Sequence, residues 1–151
     1  MIEASDQRPR NDFFRTGRAA LVSGEVDWEK DDIRCLLVGG YHPDLSEHES
    51  LSDIPPGHRA TSSRRLQGRV LVVVNWHVSA DASTIRFPIP NQLVTGIVMF
   101  CLKPDGTTIL VAYIGKATGL PLAPSAEGGP VVVKWSQGPS RVFLFPGVAI
   151  V

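Results

Sequence analysis

The sequence predicts a single all-β domain, a β-sandwich or jelly-roll-like fold, with an N-terminal arm or short helix in front of it. Three observations carry this expectation. Fourteen glycines and twelve prolines interrupt the 151 residues at short intervals, so few stretches are long enough for a helix. Seven or so short runs rich in apolar and β-branched residues lie between them. Two pairs of these runs are joined by turn sequences, "PDG" at 104–106 and "SQGP" at 136–139. A chain of this length suits one domain that buries about two-thirds of its unfolded surface.

Taken in order, the first element is "NDFFRTGRAALVSG" at 11–24, where Asn11 or Asp12 can cap a helix and Gly24 can stop it. Gly17 in its middle weakens the helix, which leaves a short helix or an extended arm over 1–23, with the β domain at 24–151. Next come "IRCLLVGG", an apolar run closed by two glycines, and "RVLVVVNWHVSA", read as one β-branched strand. "STIRFPIP" alternates and ends in prolines, as an edge strand can. "LVTGIVMFCLK" and "TTILVAYIG" flank "PDG" as a hairpin; "GPVVVKW" and "SRVFLFP" flank "SQGP" as a second one. Long loops are expected at 40–68 and 115–130. Of these, "LSDIPPGHRATSSRRLQG" is the most loop-like, either exposed or draped over something.

Charge is unevenly placed. Fifteen basic and fifteen acidic residues cancel, so no net field draws the chain to nucleic acid or to a membrane, and neither is expected as a partner. Residues 1–70 hold 22 of these 30 charges, and residues 71–151 only eight. "MIEASDQRPRND" lacks the apolar core of a secretory signal, and no run approaches the roughly 18 residues of a membrane span. A soluble protein made in the cytoplasm is expected. Cys35 and Cys101 sit in apolar runs and read as buried free thiols.

The segment 24–58 concentrates groups that could do chemistry, including three of the four histidines. His42, Asp44, Glu47 and His48 have the ligand types for zinc or iron. Their spacing matches no metal signature, and Pro43 breaks the helix that would align them. Asp27, Glu29, Asp31 and Asp32 could be paired acids of a glycosidase, but they crowd the start of a strand, where acids cap turns. No nucleophile elbow and no phosphate-binding glycine loop occurs. The expectation is a protein that is not an enzyme, with no cofactor and no metal. Trp28, Trp76 and Trp135 fall in or beside strands, as core residues do.

Binding residues are then the candidates. Phe13 and Phe14 are costly on a free tail, so they read as anchors on a partner, flanked by Arg15 and Arg18. Tyr41 and His42 mark a loop tip, and Arg64 and Arg65 form a basic pair suited to ion pairs across a protein interface. "VTGIVMFC" and "ILVAYIG" are apolar on both alternating faces. One face can line the domain core, and a neighbouring copy is the simplest cover for the other. A homo-oligomer is therefore expected, a trimer ahead of a dimer, with Trp76, Phe100 and Tyr113 near its apolar region.

The order of motifs resembles one family. Gly24, Val26, Asp27, Trp28, Asp31 and Ile33 match a "G-x-[IV]-D-W-x-x-D-x-I" opening. Tyr41, Pro43, Asp44, His48, Leu51, Ser52, Asp53 and Ile54 match the loop that follows. The later "LVAYIGKATGLPLAP" and "VVVKW" are similar to an apolar strand, a "G-L-P-x-x-P" loop and a final strand. In this order they resemble small virion structural proteins of tailed bacteriophages, and "PPGHRATSSRRLQG" departs from the glycine-rich loop common there. The resemblance implies a capsid decoration (cement) protein on the capsid surface of the virion, with the major capsid protein as its partner. The alternative it leaves is a tail, baseplate or fibre-associated adhesin module that binds a host glycan or protein.

Overall fold

The computed structural model describes residues 2–4, 11–74, 77–124, 130–135 and 142–146. Among these residues it is β-rich, with one α-helix. The elements are β1 (Ile2–Ala4), β2 (Asn11–Phe13), α1 (Arg15–Ser23), β3 (Asp32–Val38), β4 (Arg64–Arg65), β5 (Val70–Val74) and β6 (His77–Asp81). After these come β7 (Ile85–Phe87), β8 (Gly96–Leu102), β9 (Thr108–Ile114), β10 (Ala117–Thr118), β11 (Val131–Trp135) and β12 (Phe143–Pro146). They form three sheets, ordered β2-β9-β8-β3-β4, β10-β1-β11-β7 and β12-β6-β5. Every pairing is antiparallel except that of β1 with β11.

The β8–β9 hairpin forms where "PDG" stands. Gly106 adopts the positive φ of 87° that the turn requires, and Asp105 accepts hydrogen bonds from the amide and hydroxyl of Thr107. At Met99/Phe100 the register slips, so Val111 and Ala112 together face the same side. This bulge leaves the Val111 carbonyl to accept from the Phe14 amide at 3.0 Å, at the start of α1. Helix α1 begins at Arg15, so Asn11 and Asp12 do not cap it as expected; both lie in β2, paired with β9. The Asn11 side chain instead ties Gly115 and Lys116 to β2. Gly17 is what lets α1 approach β9, because a Cβ there would run into the Leu110 carbonyl and Val111. Gly24, with φ of 82°, ends the helix as expected.

Two sequence expectations about strands are corrected. "RVLVVVNWHVSA" is two strands, β5 and β6, paired antiparallel with Val74 opposite His77. "GPVVVKW" and "SRVFLFP" do not form a hairpin: β11 lies between β1 and β7, and β12 pairs with β6 in another sheet. With both its edges occupied, β11 has no edge left for β12. β7 does stand at a sheet edge, next to Pro88.

The five-stranded sheet is buried on both faces. Ile33, Cys35, Leu37, Ile97, Met99, Cys101 and Val111 join the main core with Ile2, Phe87, Val133 and Trp135 of the four-stranded sheet, and with Trp28. On the opposite face Leu36, Val38, Val98, Phe100, Leu110 and Tyr113 pack with Phe14, Tyr41, Leu45, Leu51 and Ile54. The cover of that second face is thus the chain's own 41–58 segment and the start of α1. The apolar second face therefore gives no reason for an oligomer, and Phe100 and Tyr113 are interior rather than near an interface. Trp76 lies outside the described residues.

The same packing corrects the reading of 1–23 as an arm. β1 and β2 are sheet strands, and Phe14 is fully buried with Phe13 nearly so. Both rings belong to this chain's core, not to a partner's surface. Cys35 and Cys101 are buried free thiols, and among the described residues no helix is long and apolar enough to cross a membrane.

Candidate functional site

The segment 24–58 is built by its acids. Asp27 accepts from the amides of Glu29 and Lys30 through one oxygen, and its own amide donates to Asp31. Lys103 reaches Asp31 at 3.3 Å. The Asp27 amide and Lys103 hold the Asp31 carboxyl below the ordinary range. Asp44 accepts from Ser46 and Glu47, and Asp53 accepts from Glu49 and Ser50. Those two amides likewise hold the Asp53 carboxyl low. Each of these carboxylates closes a turn around its own backbone. Asp32, by contrast, pairs with Arg34 and Arg65 along the sheet edge.

Tyr41 is nearly buried, and its hydroxyl meets Nδ1 of His48 at 2.6 Å. The Asp44 amide also points at that nitrogen, at 3.1 Å. An amide can only donate, so Nδ1 is the acceptor, the imidazole carries its proton on Nε2, and Tyr41 donates. Burial, with Asp53 and Tyr113 nearby, pushes the Tyr41 hydroxyl pKa upward. Farther along, the Arg59 guanidinium donates to the carbonyls of Leu51 and Ile54, and Leu110 donates to the Glu49 carbonyl. These bonds tie the cover to itself and to β9.

His42 is exposed, Asp44 is occupied by amides and His48 by Tyr41, so the suspected ligand set does not converge. Among the described residues no group of three His, Cys, Asp or Glu side chains could hold a metal ion. Burial pushes the Cys35 thiol up to about 12 and the Cys101 thiol up to about 11, so both stay protonated and unreactive at neutral pH.

Of the predicted contact residues, the structure buries Phe13, Phe14 and Tyr41 and exposes Arg15, Arg18, His42, Arg64 and Arg65. Arg15 and Arg18 share one depression with Asp12, Val22, Leu45 and Ser46. Arg64 and Arg65 stand apart from it, on the edge strand β4. A second depression, rich in acids, is lined by Glu25, Glu47, Glu49, Asp53 and Asp105 together with Lys103. Sequence reasoning missed a third surface. A groove between the end of α1 and the β5–β6 hairpin is lined by Leu21, Val22, Val26, Trp28, Leu71 and Val78. In "VLVVV", the longest aliphatic stretch, Val73 is 70% exposed, and Val22 at the groove is 80% exposed. No family model matches the chain, and neither does any curated protein or solved structure.

Proposed function

We propose that this chain is a tailed-bacteriophage virion structural protein, a capsid decoration (cement) protein that binds the outer capsid surface and stabilises the head. Its architecture in this reading is a β-sandwich of jelly-roll type, with the five- and four-stranded sheets as the two layers. The support is the motif order given above, together with one structural observation. The motif residues Asp27, Asp31, Tyr41, Asp44, His48, Asp53 and Ile54 cap turns, bond one another or fill the second core. A motif spent on architecture suits a structural protein. The major capsid protein would meet the exposed Arg15, Arg18, His42, Arg64 and Arg65, and many copies on one shell would add weak contacts into firm attachment.

The adhesin alternative loses its best aromatic, because Tyr41 packs on His48 and Tyr113 and cannot stack on a sugar. Quantitative gel analysis of purified particles tests the proposal. Hundreds of copies per virion are expected; six to a dozen would move the protein to the tail.

A further inference from the structure

We propose that two copies of this chain pair through the outer edge of β5, antiparallel about a two-fold axis at Val72, and join their three-stranded sheets into one six-stranded sheet. The other sheet edges are protected. An open edge strand offers unpaired amides and carbonyls to any extended chain, and proteins blunt such edges with charge, proline or shortness. β4 is two arginines and β10 two residues; β2 and β7 have three each, and β12 ends on Pro146. β5 is the longest edge, five aliphatic residues with neither charge nor proline. Among the described residues no strand pairs with its outer side.

The backbone parity admits a second copy. The Leu71 amide points away from β6, at the Glu29 carboxylate 3.3 Å away, so Leu71 and Val73 carry the outward-facing backbone groups. Centring a two-fold axis on Val72 sets Leu71 of one copy opposite Val73 of the other. Both residues point outward, so each such pair exchanges two N–H···O=C bonds, and the symmetry supplies two pairs. The Glu29 carboxylate is exposed and occupies the place of a partner carbonyl, from which it can swing away. Like charges do not meet along the paired strands, because β5 carries none.

Side chains fit the same register. Leu71 and Val73 lie on the face that borders the apolar groove, where Leu71 and Val78 form one wall and Val22 and Val26 the other. Pairing brings the exposed Val73 of each copy beside Leu71 of its partner, at that groove. A strand pair with these few side chains falls at the small end of interfaces, below about 1,200 Å² of total buried area. The pairing is therefore a weak, concentration-dependent dimer, and the two-fold geometry favours it over the trimer expected from the sequence. It does not depend on the virion reading, because purified protein without particles tests it.

The experiment is oxidative cross-linking of the full-length Val72→Cys variant, read on a non-reducing gel. The introduced thiol would face its own symmetry mate in a non-hydrogen-bonded pair with Cα atoms about 4.5 Å apart, within disulfide reach. The native Cys35 and Cys101 are buried and do not compete. Cross-linked dimer is expected in clear excess over an Asp105→Cys control on the β8–β9 turn. Sedimentation of the native chain should show mass rising with concentration from 16.4 kDa toward twice that value. Val73→Lys, checked for native circular dichroism, should hold the chain at the monomer mass. A native chain that stays monomeric at every concentration, a trimer, or a dimer in which Val72→Cys does not cross-link would each overturn the proposal.

Discussion

The Tyr41 hydroxyl and His48 Nδ1, 2.6 Å apart, fasten the two ends of the 41–48 loop over the second face of the five-stranded sheet. Removing only the hydroxyl isolates that bond. Tyr41→Phe keeps the ring against Tyr113 and is expected to cost about 1 kcal/mol in denaturant unfolding. Tyr41→Ala also leaves a cavity and should cost about 3–5 kcal/mol. Equal losses from the two variants would mean that the ring contributes no packing.

Gly17 offers a test with an unusual sign. Alanine normally favours a helix over glycine by about 1 kcal/mol. Here its methyl group would strike the backbone of Leu110 and Val111, so Gly17→Ala is expected to destabilise by about 1–3 kcal/mol. Gly57 has open space around its Cβ position, and Gly57→Ala should stay within about 0.5 kcal/mol of the parent. Thermal melts of both variants check the contrast.

Acid should loosen the cover. Asp31 and Asp53 titrate below their ordinary value in the folded chain, because amides and Lys103 favour their charged forms. A depressed folded pKa stabilises at pH values above the unfolded pKa, near 3.8, and this stabilisation is lost as pH falls through the folded pKa. The melting temperature should be flat near neutrality and fall below about pH 4. Asp53→Asn keeps an acceptor oxygen but not the charge. It should lower neutral stability by up to about 1 kcal/mol and flatten the acid limb. An acid limb identical to the parent's would remove Asp53 from this account.

Local chemistry was legible in the sequence where a single residue decided the geometry. Gly106 marked the β8–β9 turn and Gly24 the helix end, and Trp28 and Trp135, read as core residues in or beside strands, are both buried. Partner choice was not legible. Alternation shows that β8 and β9 are apolar on both faces, but not what lies on each. Draping was one of the two readings given to the stretch that holds Leu51 and Ile54, but what it drapes over, and the part that Tyr41 and Leu45 play, escaped notice because these residues are spaced irregularly among polar residues that close turns. "VLVVV" was legible as a strand but not in its place, since an all-aliphatic run does not show whether a neighbour occupies its edge. The two phenylalanines were read as anchors because their burial comes from the distant pairing of β2 with β9 and from the 41–58 cover, which no local pattern announces.

The charged segment acts as architecture, a cover that the sheet needs, and hydrogen exchange followed by mass spectrometry, on the native chain and on Arg59→Ala, puts this to the test. The Arg59 guanidinium holds the Leu51 and Ile54 carbonyls within the cover itself. The account predicts slow exchange in peptides spanning 41–60 and 96–114 of the native chain, and faster exchange in both, together, once Arg59 is removed. A 41–60 segment that exchanges as fast as a free peptide in the native chain, with 96–114 protected regardless of Arg59, would contradict it.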